Sequence, residues 1–265
     1  MTEQSPVPGG IDTTTPNVAR IYDYLLGGKD NFAADREAAW RLTQAIPDVA
    51  AIARDNRSFL GRVVRYLATN AGIRQFLDLG SGLPTQANVH ELALGVAAGV
   101  HVVYVDNDPM VISHGRALLT TADQAAMVPG DLRDPAGILE HPDVTRLVDL
   151  SQPVAVLCTS TLHFIEEPHN FVAAYRDRLV PGSYLAISHG TREDGPEAER
   201  DTAEGIYRQA SAQLHLRSLP EVLRFFDGFE LVEPGLAWMA EWRPEPGTAP
   251  TGRQHSMRGG VGRKP

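Results

Sequence analysis

The spacing of apolar positions changes character once along this chain, and the change divides it in two. Between Pro16 and Gly72 the period is helical. Val18, Ile21, Tyr22, Leu25 and Leu26 form one stripe, ended by Gly27-Gly28. A second helix is predicted over 31–45, stopped before Pro47. A third is predicted over 48–71, with Ile52, Phe59, Val63, Tyr66 and Leu67 on its apolar side and Gly72 as its cap. Beyond Gly72 short apolar runs take over. They predict strands near 74–79, 101–105, 125–129, 153–158, 183–189, 228–233 and 236–242. Helical stretches near 85–98, 108–121, 164–179, 194–213 and 218–226 lie between them. Such alternation implies a parallel sheet with helices on both faces. Only Pro234-Gly235 separates the last two runs, so a hairpin-like junction and an antiparallel final strand are expected.

The expected organisation is a disordered N-terminus over 1–15, a helical region over 16–72, an α/β core over 73–244 and a flexible tail over 245–265. The tail is partly basic from Arg253 to Lys264 and rich in glycine, which reads as a disordered end.

Candidate chemistry gathers at the predicted strand ends. The first run stops at Asp78-Leu79-Gly80-Ser81-Gly82, followed by a helical stretch from Thr85. The second ends at Asp106 and the third at Gly130-Asp131. Strand, glycine turn, helix and acidic strand end is how an open parallel sheet grips a nucleoside. Gly80 and Gly82 permit a sharp turn and close backbone approach to a ligand. Asp106 follows Asp78 by 28 residues and is placed to take both ribose hydroxyls. Asp131 is placed to meet an exocyclic amine, with the Leu132 N–H beside it for a ring nitrogen. Asn107 reads either as cap support or as adenine-pocket lining, and Asp108-Pro109 as a helix cap with proline in the first turn.

A dinucleotide fingerprint needs a third glycine where this chain has Thr85, and Pro84 removes an N–H that a pyrophosphate would use. No lysine is present to make a phosphate-binding loop. A carboxylate at Asp78 repels phosphates but suits a ligand carrying an ammonium and a sulfonium. The pattern therefore favours S-adenosyl-L-methionine over NAD.

At these residues the chain resembles a known class. Asp78-Leu79-Gly80-Ser81-Gly82, Val105-Asp106 and Gly130-Asp131 look like the first three motifs of class I methyltransferases. The chain is more closely similar to a bacterial family of S-adenosylmethionine-dependent methyltransferases. That family carries an N-terminal signature like Tyr22-Asp23-Tyr24-Leu25-Leu26-Gly27-Gly28-Lys29-Asp30-Asn31-Phe32. It also matches at Arg54-Asp55-Asn56-Arg57, Gly82-Leu83-Pro84-Thr85, Tyr104 to Pro109 and Leu162-His163-Phe164-Ile165. The resemblance spans about Pro16 to Pro244. It implies a Rossmann-like, seven-stranded, mostly parallel sheet and an N-terminal helical lid. Arg57, with Asn56 beside it, then faces the cofactor carboxylate rather than solvent; Tyr22 reads as a pocket aromatic or a core residue, and Asn31 as a cofactor-site residue or the next N-cap. The glycine-hinged segment 27–32 is expected to be a mobile cover, or else a plain helix connector.

Thr159 and His163 lie at and just past the end of the fourth predicted strand, where ligands collect in such sheets. His163 has two readings, pocket lining or general base toward an attacking hydroxyl or amine. His163, Glu167 and His169 have the wrong spacing for a metal site, and none is expected. No Asn/Asp-Pro-Pro-aromatic motif follows the fourth strand, and no Pro-Cys pair supplies a covalent nucleophile.

Composition narrows the field further. The net charge of −9 over 265 residues, with no basic block in the core, argues against nucleic acid as a substrate. No run of 18 apolar residues is present, so no membrane span is expected. Residues 1–15 lack a signal-peptide pattern. The single cysteine, Cys158, excludes an intrachain disulfide and reads as a buried small hydrophobe in a cytoplasmic protein. The expected function is methyl transfer from S-adenosylmethionine to a small-molecule acceptor. The alternatives are a non-catalytic S-adenosylmethionine-binding module and an NAD-dependent oxidoreductase. Nothing in the sequence fixes an oligomeric state.

Overall fold

The structure, a computed structural model, describes residues 11–84, 88–119, 123–245 and 257–265. Three helices come first, as the spacing predicts: α1 (Val18–Leu25), α2 (Ala33–Ala45) and α3 (Val49–Thr69). A buried ion pair ties the first two together. Arg20 Nε donates to Asp35 Oδ2 at 2.8 Å, and Asp35 also accepts the Asn17 and Phe32 N–H groups. A buried guanidinium must satisfy its remaining donors, and Arg20 does so on the carbonyls of Asp12 and Thr15. Residues 11–15, expected to be disordered, are therefore tethered to α1. The rest of that N-terminal stretch lies outside the described residues.

Five strands form the parallel part of the sheet: β1 (Gln75–Leu79), β2 (His101–Asp106), β3 (Ala125–Pro129), β4 (Ala155–Thr159) and β5 (Tyr184–Gly190). Their order is β3-β2-β1-β4-β5. They read as near-continuous apolar runs because both faces are buried. Phe76, Val102 and Leu157 pack on one side, in a core shared with α3, α4 (Val89–Leu94) and α5 (Pro109–Leu118). Leu77, Val103 and Val156 pack on the other, toward α6 (Pro135–Leu139), α7 (Pro142–Leu147) and α8 (His169–Arg178). The strand order reverses between β1 and β4, which opens a crevice at their carboxyl ends. The predicted helix start at Thr85 lies outside the described residues.

The C-terminal part differs from expectation. The short strands β6 (Glu230–Leu231) and β7 (Ala237–Trp238) do not pair with each other. Both pair with β8 (Met257–Arg263), which runs antiparallel to β5 from Tyr184↔Arg263 to Gly190↔Met257. The segment read as a flexible tail thus supplies an internal strand, and the sheet has eight strands rather than seven. Its glycines are there for packing. A Cβ on Gly259 would lie 2.7 Å from the Phe59 ring, and one on Gly262 would lie 2.7 Å from Phe229. Helix α3 presses on one face of the strand and the 226–229 turn on the other.

Helix α9 (Glu197–Tyr207) is shorter than the predicted 194–213, and α10 (Leu219–Leu223) follows it. Ala203 and Ile206 of α9 pack with Ile21, Leu25 and Leu42 in a third core beneath the N-terminal helices. None of the described helices is long and apolar enough to cross a membrane.

Candidate active site

A cavity of about 770 Å³ opens over the carboxyl ends of β1 to β4. This is within the size range of small-molecule sites. Helices α1 and α3 cover it, and residues 207–215 close its far side.

The floor is the turn after β1. Gly80 and Gly82 both have left-handed backbone, φ +70° and +69°. Gly80 is also demanded by contact, because a Cβ there would stand 2.3 Å from Thr161 Cγ2. The turn is held to β2 by Gly80 N–H and Ser81 N–H, which both donate to the Val105 carbonyl. Asp106 spans the gap: its Oδ2 accepts from Gly82 N–H and its Oδ1 from Asp108 N–H, both at 2.9 Å. Burial pushes the Asp106 carboxyl upward, opposed by the N–H groups of Asp108 and Gly82. The buried Ser81 hydroxyl has no hydrogen-bond partner among the described residues. An orphaned polar group between two left-handed glycines, next to a half-buried carboxylate, fits a polar ligand at this turn.

Asp108 caps α5, accepting from Met110 and Val111 N–H, as the sequence predicts. Its second oxygen accepts from Asn17 Nδ2, which joins the head of α1 to the loop after β2. Asp131 is engaged by Arg133 Nε at 2.9 and 3.0 Å, and this pairing lowers its pKa.

The structure brings Gly80, Ser81, Gly82, Asp106, Asn107, Asp131, Leu132, Thr159, Tyr22, Arg57 and His163 to this one cavity. Two expected members do not line it. Asp78 is buried beneath the turn, against an adjoining cavity of about 20 Å³ that shares Arg57, Ser81 and Gly82 with the large one and has room for roughly one water. Burial raises its pKa to about 7, moderated by the Arg57 charge and reinforced by Asp106. Asn31 does not line the large cavity. Its amide donates to Asp23 Oδ2 and to the Gly28 carbonyl.

The segment 27–32 is correspondingly a tight connector wrapped on Asp23. Asp23 also accepts the Asp30 N–H, and a Cβ on Gly28 would lie 2.0 Å from its carboxylate oxygen. None of residues 27–32 lines the large cavity. The cover over it is α1 itself, through Asn17, Tyr22 and Leu25.

His163 is buried and its Nδ1 accepts from Gly190 N–H at 3.4 Å. Burial pushes its pKa well below the ordinary histidine value, and the nearby His189 and Arg217 add to this. The ring is neutral, and acceptance at Nδ1 places its proton on Nε2. That arrangement suits lining and hydrogen-bond donation and makes a poor general base.

Several residues were not singled out by the sequence. Ser188 on β5 donates to Asn56 Oδ1 at 2.6 Å, Asn56 Nδ2 donates to Tyr22 OH, and Tyr22 OH donates to the Ala53 carbonyl. Ser188 Oγ also accepts the N–H of Ser160, whose left-handed backbone (φ 54°) aims the chain along the cavity wall. Arg217 is buried and holds the 162–166 turn by donating to the carbonyls of Leu162, Ile165 and Glu166. Tyr22 and Asn56 were candidates from the sequence; Ser188 and Arg217 were not, because they join the site from distant segments and only their polar burial marks them. Among the described residues no cluster of His, Cys, Asp and Glu is arranged to hold a metal ion.

A sheet of this order, with a glycine turn after β1 and a half-buried carboxylate ending β2, defines the class I methyltransferase fold. The S-adenosyl methyltransferase family matches residues 4–265, and the chain belongs to it. Its cofactor is S-adenosyl-L-methionine. The structure is similar to that of a candidate methyltransferase from Thermobifida fusca YX, with 45% identity, TM-score 0.91 and coverage of 97% of this chain and 98% of that one. It is also similar to a DUF574 family protein from Streptomyces avermitilis MA-4680, with 41% identity, TM-score 0.91 and coverage of 96% and 99%. Human N-acetylserotonin methyltransferase, solved with S-adenosylmethionine, shares the fold at 12% identity and TM-score 0.51, over 94% of this chain and 63% of that one. No curated protein matches the sequence.

Proposed function

We propose that the protein transfers a methyl group from S-adenosylmethionine to a small molecule seated in the same cavity. The observation that carries this is the cavity's two-part wall. The glycine turn and the ends of β2 and β3 form one end, and residues 163–166 and 207–215 form the other. One end suits the donor and the other leaves room for an acceptor.

In this reading the Gly80–Gly82 turn and Ser81 Oγ cradle the cofactor's amino-acid end, with Arg57 facing its carboxylate. Asp106 accepts the ribose hydroxyls with the lone pairs that Gly82 and Asp108 leave over. Asn107, Asp131 and Leu132 flank adenine, Asp131 contributing only the acceptor capacity that Arg133 does not use. Bound there, the cofactor supplies a methyl on a sulfonium, which is electrophilic without further activation. The protein's part is alignment and exclusion of water. The acceptor's lone pair would take up the methyl, with the pair of the broken carbon–sulfur bond left on the departing thioether. The acceptor's proton would pass to solvent after transfer, because Nδ1 of His163 is occupied by the Gly190 N–H and Nε2 already carries a proton.

The test uses methyl-labelled cofactor, the full chain and a bacterial extract separated by size. Label in a new low-mass compound supports the proposal. Label confined to protein or nucleic acid, or absent everywhere while S-adenosylhomocysteine binds, overturns it.

A further inference from the structure

Resting on that reading, we propose that the acceptor is an uncharged planar aromatic molecule, held against Phe164 and Tyr207 with Tyr22 above it. The donor and acceptor ends are separated by the sheet itself. From β3 to β4 there are three strand spacings, about 14 Å at ordinary sheet geometry. Leu132, past β3, therefore stands well away from the 163–166 turn that follows β4, and Asn107, past β2, stands one strand nearer. Rings at that turn face the acceptor rather than adenine.

The acceptor end sets rings and aliphatic side chains beside the polar but uncharged Ser160, Thr161, Ser211 and Gln213. Phe164 and Tyr207 lie 5.1 Å apart, centroid to centroid, with planes inclined at 59°. Phe164 and His163 lie 4.5 Å apart at 70°. Neither pair is stacked, so each ring keeps face area uncovered by its partner. Offset and edge-to-face geometries at such distances are those that a third ring completes favourably. Tyr22 presents its ring with its hydroxyl already engaged by Ala53 and Asn56. Ile165 and Leu25 add apolar wall.

Charge at this end excludes the main competitors. Among the described lining residues in 159–166, 207–215 and α1 there is no lysine or arginine, so a phosphorylated or polycarboxylate acceptor finds no counter-charge. The single carboxylate, Glu166, is exposed at the mouth. His163 is neutral and offers Nε2–H to an oxygen or nitrogen on the acceptor's edge.

The turn that carries Phe164 is also held in place. Arg217 pins residues 162–166 through three carbonyls, and His189 accepts from the same guanidinium at 3.0 Å. A ring so anchored favours a flat ligand over a flexible chain of equal size.

The probe is 2-naphthol against its saturated counterpart decahydro-2-naphthol, each titrated into the full chain saturated with S-adenosylhomocysteine. Naphthol is expected to bind about tenfold more tightly, the range two ring contacts supply. Phe164→Leu and Tyr207→Leu are each expected to remove most of that preference while S-adenosylhomocysteine affinity stays within about twofold. Equal affinity for the two alcohols, or no binding of naphthol, overturns the proposal on the unsubstituted chain alone, whatever the variants do. Failure of S-adenosylhomocysteine itself to bind would fall on the cofactor reading instead.

Discussion

Asn17 and Asp108 cap two helices and hold each other. Asn17 Oδ1 accepts from Ala19 and Arg20 N–H at the head of α1, while its Nδ2 donates to Asp108, the cap of α5. Asp108 lies two residues past Asp106, so the cover of the cavity and the carboxyl end of β2 share one hydrogen bond. Asn17→Ala loses a cap worth about 0.5–2 kcal/mol. A drop of roughly 2–4 °C per kcal/mol in melting temperature is expected for a chain of this size. Asn17→Asp keeps the cap oxygen but sets a second carboxylate against Asp108. Calorimetry should show weaker S-adenosylhomocysteine binding in this variant with most of the α1 cap retained. Unchanged affinity would separate α1 from the site.

Asp106→Asn tests the ribose assignment. The amide keeps one acceptor oxygen for Gly82 or Asp108 but loses the charge. Losing charge-assisted hydrogen bonds costs about 1.5–3 kcal/mol, or roughly tenfold to a hundredfold in cofactor affinity. Titration with S-adenosylhomocysteine reads this directly. A folded variant that binds as the parent does would move the ribose elsewhere.

Residues 257–265 are expected to be required for folding. Removing them leaves one edge of β5 unpaired and uncovers Phe59 and Phe226. The shortened chain should lose its cooperative thermal transition, and Gly259→Ala should lower the melting temperature by forcing a methyl against the Phe59 ring. A truncated chain that melts like the parent would return this segment to a dispensable tail.

Asp78 gives the fold a pH dependence whose sign is fixed by burial. Its carboxyl rises from 3.8 to about 7 in the folded protein. The folded state therefore binds more protons than the unfolded chain between those values. The stability Asp78 contributes in its neutral form is fully present below about pH 3.8 and is lost as pH rises through about 7. Asp78→Asn, always neutral, should gain melting temperature relative to the parent between pH 5 and pH 8. Parallel melting curves across that range would show Asp78 to be ionised throughout.

Much of this was legible in the chain because it is local. The stripe from Val18 to Leu26 and the five parallel strands are written in consecutive residues, since a helix face or a doubly buried strand must be apolar wherever it lies. The glycine turn and Asp106 were legible for the same reason: left-handed backbone and a strand-end carboxylate are stated within a few residues. The polar residues of the 19–36 segment were visible but not their roles. Asp23, Asn31 and Asp35 satisfy buried backbone and side-chain donors, and only Tyr22 among the site candidates there reaches the cavity.

The last strand shows the other side of that division. By composition, Gly259, Gly260 and Gly262 signal a chain with nothing to bury. In the fold they sit where Phe59, Phe226 and Phe229 leave no room for a side chain. Phe59 is some two hundred residues away in sequence, and its contact with Gly259 exists only once α3 has docked on the sheet. The sequence determined the three N-terminal helices, the parallel strands and the glycine turn, because each rests on neighbouring residues, whereas the short helices α6 and α7 between β3 and β4 went unread. Tertiary structure decided the eighth strand, the buried polar relay from Ser188 to Tyr22 and the aromatic end of the cavity, because each rests on groups that meet only after the chain has folded.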